Sequence, residues 1–204
     1  MKGNQPLNGL FSFSRPFWEH VKNAAIAFIM LTVIGFLFGL LRSDLSGKII
    51  GYYNEQIAQS GLDADNSAAM FRLIFQNNLS AAFLSLCLGF VPLCYLSAFP
   101  LGLNAVILGA FAAYYQVNGP GIVPFLAGTL PHAPFELTGL TIACAAGLYL
   151  CRVLTDKLRR RESPPLKDAL MECMRCYALC VLPLLLLAAG IESYLTPIVL
   201  NWFL

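Results

Sequence analysis

A histidine and two glutamates stand out in a chain that is otherwise short of charge. His132 and Glu136 lie four residues apart in the stretch LPHAPFELTGL, and Glu192 follows an apolar run near the C-terminus. Imidazole and carboxylate are ligands for Zn²⁺, and a four-residue spacing puts the first two on one face of a helix. With Glu192 as third ligand or as general base, the three could form a metal centre that activates water. The two-histidine pattern H-E-x-x-H is absent, so the spacing leaves other readings open. The same groups, joined by Asn78, could tie helices together by hydrogen bonds. They could also line a path for an ion or a small solute.

The rest of the chain says where these groups must sit. Of 204 residues, 58% are hydrophobic and 12% charged, about half the charged share of a soluble domain. The apolar runs approach the length of about 17–25 residues that a membrane-spanning helix needs. The composition therefore predicts an all-α protein, a polytopic membrane helix bundle with about five spans near 24–41, 79–99, 101–117, 134–151 and 177–191. The first run reads as an anchor without a cleavage site. Residues 1–204 form one integral membrane domain with no linker. Residues 1–23 interleave Phe11, Phe13, Phe17 and Trp18 with Arg15, His20 and Lys22, a pattern for a helix lying at the headgroups. Residues 42–78 predict two amphipathic surface helices, the second capped by Asn66 or Ser67 and running through Phe75. Residues 118–121 form a turn, and 122–130 are too short to cross, as in a re-entrant or surface helix.

Charge orients the bundle. Ten of the thirteen Lys and Arg residues precede the first run or surround the loop between the fourth and fifth runs. Cytoplasmic loops carry such an excess, so the N-terminus is expected in the cytoplasm and the C-terminus outside a cell membrane. The seven cysteines fall in or near the runs at helical spacing, which fits small packing residues and implies no disulfide framework. Gly35 and Gly39 form a G-x-x-x-G step, a signal for close helix packing or for a homodimer. Pro92 and Pro183 lie within runs and are expected to kink them. The expected surroundings are the lipid bilayer and other membrane proteins, with no nucleic acid.

Depth then groups the polar residues. Glu136 lies sixteen residues from Arg152, and Glu192 lies seventeen from Arg175. At about 1.5 Å per residue, both carboxylates sit roughly 24–25 Å from the basic end. His132 is one turn further along, and Asn78 opens its own run at a similar level. His132, Glu136, Gly139, Ala143 and Gly147 share one helical stripe, whose small residues turn the polar pair into the bundle. Asn104, near the inner start of the third run, is expected to lie too far away to join them.

Four stretches resemble the stage II sporulation protein M family: IFQNNLSAAF (74–83), LGLNAVILG (101–109), LPHAPFELTGLTIACAAGL (130–148) and LLLLAAGIESYLTP (184–197). Ala105 and Ala133 stand where that family often has glycine. The resemblance implies Asn78, Asn104, His132, Glu136 and Glu192 as the family's marked positions. It also implies a scaffold that gathers peptidoglycan-remodelling partners, in spore formers during engulfment, although many members occur outside spore formers.

Overall fold

The computed structural model describes residues 13–59 and 66–203. All regular structure there is helical: α1 (Arg15–Leu41), α2 (Ser43–Gln59), α3 (Ser67–Leu88), α4 (Phe99–Asn118), α5 (Ile122–Thr129), α6 (Ala133–Leu158), α7 (Leu166–Cys176), α8 (Leu182–Gly190) and α9 (Thr196–Leu200). Residues 1–12, including Phe11, and most of the turn before Asn66 lie outside the described residues. Four stretches are long and apolar enough to cross a membrane: Arg15–Leu41, Leu96–Asn118, Ala133–Leu158 and Leu166–Leu200. The molecule is a polytopic helical membrane protein.

α6 is the axis. In its most apolar window 72% of the residues are buried, against 22% in α1. α3, α1, α8 and α7 pack around it. α1 turns Ile29, Met30, Val33 and Ile34 outward, the arrangement expected where the solvent is lipid. Its other face lies on α4, and this is the most extensive helix pair among the described residues. There Gly35 meets the Val106 backbone, and Gly109 meets the backbone of Thr32 and Phe36. The G-x-x-x-G step therefore serves packing within the chain.

The expected second span, 79–99, is built differently. α3 begins at Ser67, with the Asn66 side chain accepting from the Ala69 N–H, and runs through the expected end at Phe75 to Leu88. Residues 89–95 are irregular, with Leu93 and Tyr95 at positive φ. Pro92 sits within this break, so it separates two helices and kinks neither. The break descends along α6: the Leu93 N–H donates to Thr155 Oγ1 at 2.8 Å and Cys151 Sγ to the Val91 carbonyl at 3.3 Å. It then climbs back, because the Ser97 side chain lies against Gly147. α4 thus starts well inside the bundle.

The aromatic N-terminal segment is not a separate interfacial helix over its described part. Arg15 opens a continuous α1, and Phe17 is buried edge-on to Tyr149 with ring centres 6.1 Å apart. The Ser14 N–H donates to Glu172 Oε1 at 2.6 Å, and the Arg175 guanidinium lies 5.1 Å from the Phe13 ring centre. These contacts bring the start of α1 and the whole of α7 to one end. The basic loop after α6 is at that end too.

The last helical stretch is interrupted twice by π-turns, at Tyr177–Val181 and Ile191–Leu195. Each closes on a residue that directly precedes a proline. The Leu182 N–H reaches the Tyr177 carbonyl before Pro183, and the Thr196 N–H reaches the Ile191 carbonyl before Pro197. A proline ring collides with the carbonyl four residues back, and a wider turn makes the room. Pro183 therefore widens the helix.

All seven cysteines are free, and Cys144, Cys151, Cys173 and Cys176 are buried. Cys173 Sγ leans on the Ala146 carbonyl at 3.5 Å.

Backbone contact at Gly109 makes a direct prediction. Gly109→Ala should destabilise the protein by roughly 1–3 kcal/mol, since the α1 backbone has nowhere to go. Gly51→Ala, with open space around it, should be neutral or stabilising by up to about 1 kcal/mol. Thermal unfolding of both variants in detergent checks the contrast.

Candidate functional site

Four polar residues come together at the end of the bundle away from the basic loop. His132 precedes the first residue of α6, and Glu136 lies in that helix's first turn. Glu192 sits in the second π-turn, and Asn78 is buried in α3. His132 Nε2 lies 3.8 Å from Glu136 Oε2 and 3.8 Å from Glu192 Oε2. One ligand atom from each of the three residues falls within a set no more than 4.8 Å across. The Asn78 side chain lies beside Glu136 on the wall of the same cavity. His132 Nδ1 is 3.3 Å from Thr196 Oγ1 on the next helical segment.

Local structure explains the convergence. Pro134 lies in the first turn of α6, where its missing N–H costs nothing. The α6 stripe below the cluster is built of small residues, and Gly139 there receives Leu185 of α8. The π-turn at Tyr177–Val181 inserts one residue, which rotates everything beyond it by about 100° about the helix axis. Glu192 faces His132 after that rotation.

The cluster opens on a cavity of about 780 Å³. That volume lies in the range of about 300–1,000 Å³ typical of small-molecule sites. Its polar lining adds Asn77, Asn104, Asn118 and Tyr114, its apolar lining includes Phe111 and Phe125, and Ile50 of α2 reaches it as well. Asn104 lines the same chamber as the other four, with its Nδ2 donating to the Pro100 carbonyl at 3.1 Å, so it stands nearer their level than the sequence suggests. The physical reason is the break before α4. Because Ser97 already lies beside Gly147, the seven residues to Asn104 carry it about 10 Å further, towards the level of Glu136. Sequence reasoning missed Asn77, Asn118, Tyr114 and Thr196. Thr196 carried a usable signal, being four residues beyond Glu192 and so on the same helical face.

Chemically, 3.8 Å is too long for a direct hydrogen bond, whose heavy atoms lie within about 3.2 Å. It suits groups that share a third partner. Two ligands each about 2.1 Å from one zinc ion can be at most about 4.2 Å apart, and both histidine–glutamate separations meet that limit. The site has the donors of a three-ligand centre, with a chamber on its open side.

Fold and site together define a polytopic helical membrane protein with a polar chamber near one end. Residues 24–197 match the family model described as Stage II sporulation protein M, and the chain belongs to that family. It is also 26% identical over 184 residues to an uncharacterized protein of Methanocaldococcus jannaschii, covering 90% of this chain and 99% of that protein. No solved structure matches it.

The placing of Asn78 beside Glu136 gives a testable coupling. Asn78→Ala and Glu136→Gln should each lower stability, and the double variant should fall short of the sum by roughly 0.5–3 kcal/mol. Thermal unfolding of the four proteins in one detergent closes this cycle, and strict additivity would show that the two side chains act independently.

Proposed function

We propose that His132, Glu136 and Glu192 bind one divalent cation of the zinc class and that the chain is a metal-dependent membrane hydrolase. One observation carries the reading: the imidazole and both carboxylates converge at 3.8 Å, with no direct hydrogen bond between them. Three protein ligands and a fourth position open to a cavity are the pattern of catalytic zinc sites, where the ion lowers the pKa of a bound water. With all three ligand atoms within 4.8 Å of one another, closing them onto one ion needs a shift of at most roughly half an ångström. The chamber of about 780 Å³ leaves room beside the ion for a substrate.

Family membership supports a second reading, in which the chain organises membrane or cell-wall partners as a scaffold for peptidoglycan remodelling. The exposed apolar strip of α1 offers surface for such partners as well as for lipid. A homodimer would need a face other than Gly35 and Gly39, which α4 covers. The shared end of Arg15, Arg152, Lys167 and Arg175 supports placing that end, with the N-terminus, in the cytoplasm of a cell-membrane protein. The C-terminus and the chamber are then extracytoplasmic.

Elemental analysis of protein purified in detergent tests the first reading. The expected outcome is one Zn²⁺ per chain, lost in His132→Ala and in Glu192→Gln while the fold persists. Protein that stays metal-free after equilibration with Zn²⁺, yet loses thermal stability in Glu136→Gln, would make the cluster a structural staple and leave the scaffold reading standing.

A further inference from the structure

Thr196 touches the site without belonging to the three converging groups. Its hydroxyl oxygen lies 3.3 Å from His132 Nδ1 and 3.3 Å from the Ile191 carbonyl oxygen. Both His132 and Thr196 are buried. A hydroxyl has one proton, and a carbonyl can only accept. The Thr196 proton therefore goes to Ile191, and a hydroxyl lone pair is left facing His132 Nδ1. That lone pair is matched only when Nδ1 carries a proton. On a neutral imidazole the Nε2 lone pair is then bare, and Nε2 is the atom that faces Glu136 and Glu192.

Backbone geometry holds this arrangement in place. The Ile191 carbonyl closes the π-turn by accepting the Thr196 N–H, and it accepts the Thr196 hydroxyl as well. One widened turn thus carries Glu192 and ends on Thr196, so a carboxylate and the group that orients the imidazole move as one unit. The proline after Thr196 is what calls for the widened turn.

We infer that Thr196 is a positioning residue that locks His132 in the Nδ1–H tautomer and presents Nε2 to a cation. Its consequence for metal affinity rests on the metal reading above, whereas the tautomer itself does not. Partners of this kind, bonded to the second nitrogen of a ligating histidine, are worth about 10–100-fold in metal affinity.

The chain has two histidines, His20 and His132, so ¹⁵N-histidine labelling of the full chain gives a readable spectrum, with His20→Gln assigning the signals. In metal-free protein at mildly alkaline pH, His132 should show a protonated Nδ1 and a bare Nε2. Thr196→Val, nearly isosteric, should spread the proton over both nitrogens and weaken Zn²⁺ binding about 10–100-fold in chelator competition. Thr196→Ser should restore both readouts. A wild-type His132 with the proton on Nε2, or a tautomer unchanged in Thr196→Val, would overturn the inference, and the wild-type spectrum decides it even if Thr196→Val does not fold. The Nδ1–H tautomer in a protein that binds no Zn²⁺ would uphold the positioning role and sink the metal reading alone. Zn²⁺ binding indifferent to Thr196→Val, with an unchanged tautomer, would do the reverse.

Discussion

The backbones of α3 and α6 touch where two glycines meet. A β-carbon on Gly89 would run into Gly147, and one on Gly147 would run into the Ser85 carbonyl and the Ser97 side chain. Between helices in lipid there is little hydrophobic drive, so close packing at small residues must supply the association. Contact this tight also sets register, because neither helix can slide without a backbone collision. From Gly147 back to Glu136 is eleven residues, and from Gly89 back to Asn78 is eleven as well. The helices run in the same direction, so both intervals carry the chain about 16 Å towards the same end. The meeting of Asn78 with Glu136 is thus a consequence of the glycine contact.

The same contact governs α4. Ser97 rests on Gly147, so α4 starts partway through the bundle and its first turns pass α1 at Gly35 and Gly109. The break at 89–95 makes this possible by going down to Thr155 and returning. Its two non-glycine residues at positive φ, Leu93 and Tyr95, are a local cost that the surrounding contacts sustain. Asn104 reaches the chamber because of that return.

How much of this was legible in the sequence follows from which features are local. Depth was legible, because Arg152 and Arg175 mark one end and a fixed rise per residue measures upward from it to Glu136 and Glu192. The inward stripe of α6 was legible from the spacing of Gly139, Ala143 and Gly147. The cap at Asn66 was legible from its side chain. The position of Asn104 was not, because it depends on where α4 begins, and that is set by a contact with Gly147 fifty residues later in the sequence. Pro92 and Pro183 looked alike as apolar-run prolines, yet one falls in a helix break and the other follows a π-turn. The difference lies in what the flanking carbonyls find in the folded protein. Gly35 and Gly39 announced a close contact but not its partner, which turned out to be the same chain.

The electrostatics of the chamber bear on what it holds. Among the described residues lining it there are two carboxylates and one imidazole, and no lysine or arginine. Most of the basic residues gather at the other end of the bundle, with Arg152 about 24 Å from Glu136 along α6. Uncompensated carboxylates in a low-dielectric wall are expensive, and a chamber lined by one sign of charge concentrates the opposite sign. An anionic substrate would therefore need a cation beside the carboxylates before it could enter. A hydrogen-bonded staple would be expected to close the gaps between His132 and the two glutamates, and both remain at 3.8 Å. A cation would answer the charge and the spacing together, while the four asparagines of the chamber wall, as donors and acceptors without charge, would leave that balance undisturbed.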